Sequence, residues 1–312
     1  MRLAHLHIPH LTPFTHTSRL QQTLVSRLLT HKKLYDSPSS PPSTPAPAPP
    51  DPTILTFTPH PVYTTGRRDL PRTNTTNSNN LDPNLLPTPL QPIRHLLTRT
   101  SPSQLPLAEF HATLRGGQTT YHGPGQLVAY TILDLRRLRL GPRQHIRLLE
   151  RSVLDVLSDY GVEGGVLSEQ DPGVWVDQQS QLQDGRRGGS DQLAKKIAAV
   201  GVHLRRYVSS YGVGLNVTEE PMWFFRHIVA CGLEGREPTS LVGCGVRFAD
   251  ARDGDDIMRE VAERFVAAFV RRVNQVGTPG AVDGCYTSRE LDRNVISHKY
   301  SSDADNMKLL KK

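Results

Sequence analysis

The sequence predicts a single α/β domain in which a mixed β-sheet is flanked by helices. Runs with the composition of strands alternate along the chain with two amphipathic helical segments, up to about residue 276. The strand-like runs are irregularly spaced, which fits a mixed sheet better than a regular winding of parallel β-α-β units. A chain of 312 residues is long enough for such a domain to bury a substantial core.

Four runs rich in β-branched and other apolar residues have the composition of strands. They cover residues 53–58, 126–133, 173–177 and 197–204. We therefore expect each of these runs to form a strand of the sheet.

Two longer runs have the periodicity of amphipathic helices. Residues 142–160 begin with a proline and are followed by a glycine, both common at helix ends. One face of this helix carries Ile146, Leu149, Val153, Val156 and Tyr160. Residues 255–276 begin with acidic residues, which suit a helix N-terminus. On this second helix the residues expected to face inward are Val261, Phe265, Ala268 and Phe269.

Residues 1–35 contain no acidic residue and carry much of the net charge of +7. Their basic residues are Arg2, Arg19, Arg27, Lys32 and Lys33. Arginines along an amphipathic helix in a Ser/Thr-rich, acid-free segment are typical of mitochondrial targeting sequences, so we expect a mitochondrial protein. The alternative is that residues 3–11 and 17–34 are the first strand and first helix of the domain. Both interpretations can hold together.

Three segments have the composition of disordered insertions into one domain that spans residues 1–276. The first, at about 37–52, is proline-rich, and the second, at about 71–92, is rich in Asn, Thr and Pro. The third, at about 178–193, combines Gly, Gln and charged residues without periodicity. Residues 277–312 are expected to form a polar C-terminal tail.

The composition excludes several classes of protein. Because most of the net positive charge comes from residues 1–35, the basic balance does not indicate a nucleic-acid-binding surface. No apolar run approaches the ~20 residues that span a bilayer, so we expect no transmembrane helix. The cysteines include no CxxC pair, so neither a disulfide framework nor a zinc site is expected. They are Cys231, Cys244 and Cys285.

The most unusual run is RGGQTTYHGPGQ at residues 115–126. Its glycines let the backbone approach a ligand closely and present N–H groups to it. Arg115 supplies a fork of hydrogen-bond donors, and His122 can donate or accept a hydrogen bond near neutral pH. The alternative interpretation is a tight turn between two strands.

Three further runs carry reactive or small residues. Lys196 enters an apolar strand with small residues behind it, which is notable because an unpaired buried lysine is costly. The alternative is a lysine at the exposed start of a strand. Residues 211–217, YGVGLNV, place glycines at the edge of a strand. Cys231 ends an apolar run, where a lone cysteine is most often a small buried hydrophobe.

In this order and at this spacing, the four runs resemble the lipoyl(octanoyl) transferases, the octanoyltransferases of lipoate biosynthesis. Residues 115–126 match the family's RGGxxTYHGPGQ signature. Residues 196–201, 211–217 and 230–241 match its KIAAIG, HGxALNV and PCG…TSL motifs. Three departures concern the shape of the pocket and remove no reactive group. They are Tyr211, Gly214 and Ala230, where histidine, alanine and proline are common.

The resemblance implies the catalytic fold of biotin/lipoate protein ligases and an enzyme that moves an octanoyl group from an acyl carrier protein to a lysine. The acceptors would be the lipoyl domains of 2-oxoacid dehydrogenase complexes and the glycine-cleavage carrier protein. Cys231 would form the acyl-thioester intermediate, and Lys196 would lower the pKa of its thiol and shuttle protons. The acyl-substrate pocket would be lined by Arg115, Gly116, Gly117, Gln118, Thr119, Thr120, Tyr121, His122, Ala199, Val200, Gly201, Gly212, Val213 and Gly214.

This chemistry requires neither a cofactor nor a metal, because the donor thioester is already activated. A neighbouring ammonium favours ionisation of a cysteine that is otherwise mostly protonated at neutral pH. The lysine can then act as a general base toward the incoming amine. Two alternatives stay open. One is an ATP-dependent lipoate–protein ligase of the same fold, which has no need of a nucleophilic cysteine. The other is a non-catalytic protein that binds acyl carriers.

Overall fold

The computed structural model describes residues 1–35, 47–69, 86–98, 106–169, 171–177, 194–229, 236–248, 253–276 and 282–287. The strands are β1 (Arg2–Thr12), β2 (Thr53–Pro59), β3 (Val62–Thr65), β4 (Glu109–Ala112), β5 (Thr120–His122), β6 (Gln126–Ile132), β7 (Gly165–Leu167), β8 (Gly173–Val176), β9 (Lys195–Arg205), β10 (Val208–Asn216) and β11 (Gly284–Thr287). The helices are α1 (Phe14–Tyr35), α2 (Arg94–Leu97), α3 (Pro142–Asp159), α4 (Glu220–Phe225) and α5 (Gly254–Val276). None of these described helices is long and apolar enough to cross a membrane.

The larger sheet has the strand order β11-β1-β2-β6-β10-β9-β8-β7 and mixes parallel with antiparallel pairs. β1 is parallel to β2 and β11. The other neighbouring pairs in this sheet, β2-β6, β6-β10, β10-β9, β9-β8 and β8-β7, are antiparallel. β9 and β10 form a hairpin whose turn residues, Arg206 and Tyr207, both have positive φ. Such turns match the right-handed twist of paired strands. The sheet is therefore mixed, as the irregular spacing of the strands predicts.

Side chains of the central strands alternate between two apolar layers, one on each face of the sheet. On β2, Ile54 belongs to the layer that contains α3 and α5, whereas Leu55 and Phe57 belong to the layer that contains α1. On β6, Leu127 and Val128 are divided in the same way. Because both faces are covered, these strands are almost continuously apolar in sequence.

All six strands and helices predicted from the sequence are confirmed. The predicted strands at 53–58, 126–133, 173–177 and 197–204 correspond to β2, β6, β8 and β9. The predicted helices at 142–160 and 255–276 correspond to α3 and α5. All four residues predicted to face inward on α5 are buried. On α3, Leu149, Val153 and Val156 are buried, but Ile146 and Tyr160 are only half-buried.

Residues 1–35 form β1 and α1, which confirms the alternative in which they are the first strand and first helix of the domain. Leu3 and Leu6 of β1 are buried. Leu20, Leu24 and Leu28 form a stripe on α1, one helical turn apart, that packs on the sheet. The segment is thus part of the core of the domain.

Parts of two predicted insertions belong to the fold, so those boundaries are wrong. Pro52 is buried, and its carbonyl oxygen accepts a hydrogen bond from the Ala4 amide at 2.9 Å. Residues Thr88–Ile93 form a 3₁₀ helix that buries Leu90 and Ile93, although the prolines around them suggested a loop. Apolar residues three apart anchor this turn. Residues 36–46, 70–85 and 178–193 lie outside the described residues.

The predicted polar tail begins too early. β11 pairs in parallel with β1, and Val282 before it is buried. The side chain of Asn274 holds Val282 at both its amide and its carbonyl, each at 3.0 Å. β11 has four residues and little apolar character, so its sequence gives almost no signal of a strand. The strand is stabilised by its pairing with β1. Residues 277–281 and 288–312 lie outside the described residues.

A second sheet of three strands, in the order β4-β3-β5, carries the first part of the glycine-rich run. β3 is parallel to β4 and antiparallel to β5. Its apolar side packs in a separate cluster that includes Tyr63, Leu90, Tyr121 and Phe225. The run at 115–126 therefore connects this small sheet to β6 of the large one.

A buried ion pair joins α1 to the rest of the domain. Lys32 Nζ lies 2.6 Å from Asp134 Oδ2, and both side chains are 6% exposed. Asp134 Oδ1 also accepts a hydrogen bond from the Arg136 amide at 3.1 Å. Such a pair contributes little beyond an apolar pair of the same size, but the loss of one partner leaves the other charge buried without compensation.

Replacing Lys32 with methionine should lower the free energy of unfolding by about 3–5 kcal/mol, because the Asp134 carboxylate loses its cation. Replacing the exposed Lys33 in the same way should change it by less than about 0.5 kcal/mol. Urea unfolding followed by circular dichroism measures both effects. Equal, small effects for the two variants contradict the anchoring role of the ion pair.

Candidate active site

A cleft of about 240 Å³ opens where β9 and β10 meet the glycine-rich run. Residues 199–202 of β9, 211–214 of β10 and 115–118 of the run form its walls. A smaller pocket of about 30 Å³ adjoins the cleft. The residues that line both are Thr120, His122, Lys196, Ala199 and Gly214.

The cleft brings together most of the site residues predicted from the sequence. Those that line it are Arg115, Gly116, Gly117, Gln118, Thr120, His122, Lys196, Ala199, Val200, Gly201, Gly212, Val213 and Gly214. They come from the small sheet and from two strands of the large sheet, and are brought together only by folding. Their role in binding a substrate stays a prediction.

Thr119 and Tyr121, which are also predicted to line the pocket, do not line this cleft, and their role in binding a substrate stays a prediction. Side chains alternate along β5, so that Thr120 and His122 face the cleft while Tyr121 faces away from it. Tyr121 stacks on Phe224 with 4.3 Å between ring centroids. The Thr119 hydroxyl donates a hydrogen bond to an Asp69 carboxylate oxygen at 2.8 Å. Both residues stabilise the small sheet.

The Arg115 guanidinium braces the glycine-rich run. Its Nη2 donates to the carbonyl oxygen and to the hydroxyl of Thr64, each at 2.9 Å, and its Nη1 donates to the Gly116 carbonyl at 3.0 Å. The Gly116 amide in turn donates to the Val202 carbonyl at 2.9 Å, which fixes the run to β9. Arg115 therefore shapes one wall of the cleft and adds a positive charge to it.

Lys196 lies near the start of β9, and its side chain is half-buried. Its Nζ lies 4.8 Å from the centroid of the fully buried ring of Trp175, within the range of a cation–π interaction. The guanidinium carbon of Arg236 is also 4.8 Å from this ring. Lys195 pairs with Glu237 at 2.9 Å, whereas no carboxylate within the described part of the chain pairs with the Lys196 ammonium.

Gly173 provides the space for the Lys196 side chain. Its φ is +140°, and a Cβ atom at this position would lie 2.6 Å from Lys196 Cε and 2.5 Å from the Ala198 carbonyl oxygen. The Gly173 amide donates a hydrogen bond at 2.8 Å to the buried carboxylate of Glu150, which holds the backbone in place. A residue with a side chain is therefore excluded next to Lys196.

His122 is buried where the cleft and the smaller pocket meet. Its Nδ1 lies 2.5 Å from the side-chain oxygen of Gln126. Burial, together with the positive charge of Arg115, lowers the pKa of His122 to about 4, although the hydrogen bond with Gln126 acts in the opposite direction. The imidazole is therefore neutral near pH 7.

Cys231 lies outside the described residues, and its role as nucleophile stays a prediction. The other two cysteines line neither the cleft nor the smaller pocket. Burial raises the pKa of both the Cys244 and the Cys285 thiols, so less of the nucleophilic thiolate forms near pH 7. No group of His, Cys, Asp and Glu side chains suited to a metal ion occurs in the described ranges.

Gly173 and Trp175 are the neighbours of Lys196 that the sequence does not predict. Their run, GVWVD, has the composition of a strand, and a glycine two residues before a tryptophan is the only further signal it carries. Their contact with Lys196 depends on the pairing of β8 with β9, in which the register shifts between Val174 and Trp175. A shift of this kind has no signature in one sequence.

The chain is similar in sequence to one protein-family model and to several named proteins. Residues 46–269 match the lipoyl protein ligase A/B catalytic domain. An octanoyltransferase of Solibacter usitatus is 41% identical over 172 residues, which cover 55% of this chain and 66% of that protein. The "Probable octanoyltransferase" of Schizosaccharomyces pombe is 34% identical over 218 residues, or 70% of this chain and 79% of that protein. A Drosophila melanogaster protein whose name describes a mitochondrial lipoyltransferase 2 is 40% identical over 134 residues, or 43% and 50% of the two chains.

Among solved structures, a bipartite lipoate protein ligase of Thermoplasma acidophilum is 15% identical, with a TM-score of 0.43 over 100% of this chain and 97% of that chain. The family match covers most of the chain. The chain therefore belongs to the lipoyl protein ligase A/B catalytic domain family. This membership, with the mixed sheet flanked by helices, confirms the predicted fold class. The sequence alignments span between half and four fifths of the relatives' own lengths.

Replacing Gly173 with alanine should lower stability by about 1–3 kcal/mol and displace the Lys196 side chain, because the new Cβ enters its space. Replacing Gly161, which also has positive φ but has no atom within 4 Å of a Cβ position, should lower stability by about 1–2 kcal/mol only. Reductive methylation, mapped by mass spectrometry, measures the reactivity of Lys196. Unchanged labelling of Lys196 in the Gly173 variant contradicts the proposed contact.

Proposed function

We propose that this chain is an octanoyltransferase of lipoate biosynthesis, which moves an octanoyl group from an acyl carrier protein to a lysine of a lipoyl domain. The observation that carries the proposal is the position of Lys196 at the junction of a cleft and a smaller pocket, beside the glycine-rich run. Relatives that carry the name octanoyltransferase support it.

The cleft suits an acyl chain. Its lining includes Val200, Val202, Val213, Ile146 and the ring of Tyr130. Each methylene group that moves from water into such surroundings contributes about 0.8 kcal/mol, so a medium-length chain gains several kcal/mol on binding. The glycines of the run leave backbone N–H groups near the carbonyl end of the chain, where an oxyanion develops.

In the first half-reaction the Cys231 thiolate attacks the carbonyl carbon of the donor thioester. A C–S bond to Cys231 forms, the C–S bond to the carrier thiol breaks, and the carrier thiolate takes a proton. Lys196 keeps Cys231 ionised by its positive charge and supplies that proton. Arg236 lines the smaller pocket, and Cys231 lies five residues before it in the sequence. Five residues span at most about 18 Å, so Cys231 lies no farther than that from Arg236.

In the second half-reaction the amine of the acceptor lysine attacks the thioester on Cys231. The C–N bond forms and the C–S bond breaks, and the proton lost by the nitrogen ends on the cysteine sulfur or on Lys196. The acceptors are lipoyl domains of 2-oxoacid dehydrogenase complexes and the glycine-cleavage carrier protein. No ATP is consumed, because the energy of the donor thioester drives the transfer.

We also propose a mitochondrial location. The acid-free, arginine-containing segment at residues 1–35 supports it, as does the name of the Drosophila relative. The same residues form β1 and α1, so the segment can act as a targeting signal only before the domain folds. We expect it to be retained, because it buries the stripe of Leu20, Leu24 and Leu28.

Two other functions compete with this one. An ATP-dependent lipoate–protein ligase forms an acyl-adenylate and has no use for a nucleophilic cysteine. A non-catalytic protein that binds acyl carriers needs neither Cys231 nor Lys196. Incubation with octanoate and ATP, compared with octanoyl-carrier protein alone, distinguishes the ligase from the transferase. A lipoyl domain modified in the second mixture alone favours the transferase.

Incubation of the protein with octanoyl-carrier protein should add about 126 Da to its mass, the gain expected when an octanoyl group replaces a thiol proton. Peptide mapping should place the adduct on Cys231. Replacing Cys231 with serine should abolish the adduct and nearly all turnover, because a hydroxyl has no comparably accessible anion.

Cys244→Ser is the matched control for this experiment. Cys244 is half-buried and contacts Thr239, with 3.8 Å between Sγ and Oγ1, away from the cleft. This variant should form the adduct at the wild-type rate. An adduct on Cys244 or Cys285 contradicts the assignment of the nucleophile.

A further inference from the structure

A chain of buried hydrogen bonds connects His122 to the strand that carries Lys196. His122 Nδ1 lies 2.5 Å from Gln126 Oε1, and Gln126 Nε2 lies 2.8 Å from Asn216 Oδ1. Asn216 Nδ2 lies 2.8 Å from the carbonyl oxygen of Thr239, whose own amide donates to the Lys196 carbonyl at 2.9 Å. All the side chains in this relay are buried. The relay therefore links four separate runs of the sequence.

The Thr239 carbonyl oxygen determines which atom donates and which accepts in each side-chain hydrogen bond of the relay. The Thr239 carbonyl oxygen can only accept, so Asn216 must present its NH₂ group to it. Asn216 Oδ1 then faces Gln126, which must donate through Nε2. Gln126 Oε1 is left to face His122, and a carbonyl oxygen can only accept. His122 must therefore carry its proton on Nδ1.

We infer that Gln126 and Asn216 are positioning residues that hold His122 as the Nδ1–H tautomer, so that Nε2 presents a lone pair to the incoming amine. Within the described residues, no side chain or backbone group bonds to Nε2, and His122 lines both the cleft and the smaller pocket. What enters the cleft rests on the proposed function, whereas the tautomer does not.

The surroundings of His122 keep the imidazole neutral. Burial is the main cause of its lowered pKa, and the cationic Arg115 acts in the same direction. Lys196 lines the same two pockets and adds a second cation. The other titratable groups around these pockets are Arg68, Tyr130, Asp171, Tyr211, Arg236 and Glu237. Near pH 7, Nε2 is therefore a hydrogen-bond acceptor and not a donor.

A neutral acceptor at this position has a defined use in the second half-reaction. One N–H of the acceptor amine donates to Nε2, which directs the nitrogen lone pair toward the carbonyl carbon of the acyl-enzyme. The C–N bond then forms, the C–S bond to Cys231 breaks, and the displaced proton passes to the sulfur. His122 is neutral before and after the step. His122 therefore orients the attacking amine without taking up its proton.

Nuclear magnetic resonance of the full chain with ¹⁵N-labelled histidine tests the tautomer directly. The His122 signals among those of the 13 histidines are assigned with a His122→Asn variant. We expect a protonated Nδ1 and an unprotonated Nε2 at pH 7, with no titration of this ring down to about pH 5. A wild-type ring protonated on Nε2 overturns the inference, whatever the activity of the protein.

Gln126→Glu tests the positioning role. The new carboxylate accepts from Nδ1–H and favours the imidazolium, so the ring should titrate between about pH 6 and 8. Transfer from preformed acyl-enzyme to a lipoyl domain should slow by about tenfold below that titration, because the charged ring donates at Nε2 and no longer accepts. Wild-type transfer should lack this pH dependence. Gln126→Glu with wild-type titration and a wild-type pH profile overturns the positioning role.

Gln144→Glu is the matched control, because Gln144 Oε1 accepts a hydrogen bond from the Gly141 amide at 2.7 Å at the exposed start of α3. This variant adds the same charge and should leave the titration of His122 unchanged. A wild-type protein that never forms an adduct on Cys231 contradicts the proposed function, while the tautomer stays measurable. The two ideas can therefore fail separately.

Discussion

The antiparallel pairing of β10 with β9 on one side and with β6 on the other is the constraint on which the site depends. It sets Gly212 opposite Gly201 and Gly214 opposite Ala199, so that two small-residue runs form adjoining walls of the cleft. It also sets Asn216 opposite Gln126. A slip of one residue in either pairing would break these pairs and turn the side chains of the slipped strand to the other face of the sheet. The apolar layers on both faces, which bury alternate residues of β6, prevent such a slip.

Polar groups in this site are held by partners that the fold supplies. Arg115 is the clearest case. A guanidinium at the start of a glycine-rich run suggests contact with a ligand, but both of its terminal nitrogens donate to Thr64 and Gly116. Burying such a charge without partners is unfavourable, so these donors are satisfied by two backbone carbonyl groups and one hydroxyl group of the protein itself. Lys196 differs, because the ring of Trp175 lies beside its ammonium. No carboxylate among the described residues pairs with this ammonium, which therefore retains more of its influence on a neighbouring thiol.

The sequence predicts helices α3 and α5, the central strands and most of the residues that line the cleft, because each has a local signature. Periodicity marks α5, and glycine-rich runs mark the walls of the cleft. What it cannot predict depends on contacts distant in sequence. Thr119 and Tyr121 stand inside the signature run, yet strand alternation turns them to the small sheet. β11 exists through its pairing with β1, some 280 residues away. The relay from His122 to Lys196 also requires four runs to meet, and no single run reveals it.

The central claim is that Lys196 activates Cys231. It is tested most directly by the pH dependence of alkylation at Cys231, measured by peptide mass spectrometry in the wild type, Lys196→Ala and Lys195→Ala. Lys195 is the matched control, because its ammonium pairs with Glu237. The account predicts that removal of the Lys196 ammonium moves the midpoint of alkylation upward by at least about one pH unit, since an adjacent cation favours the thiolate. It predicts wild-type behaviour for Lys195→Ala. Coincident profiles for wild type and Lys196→Ala contradict the claim.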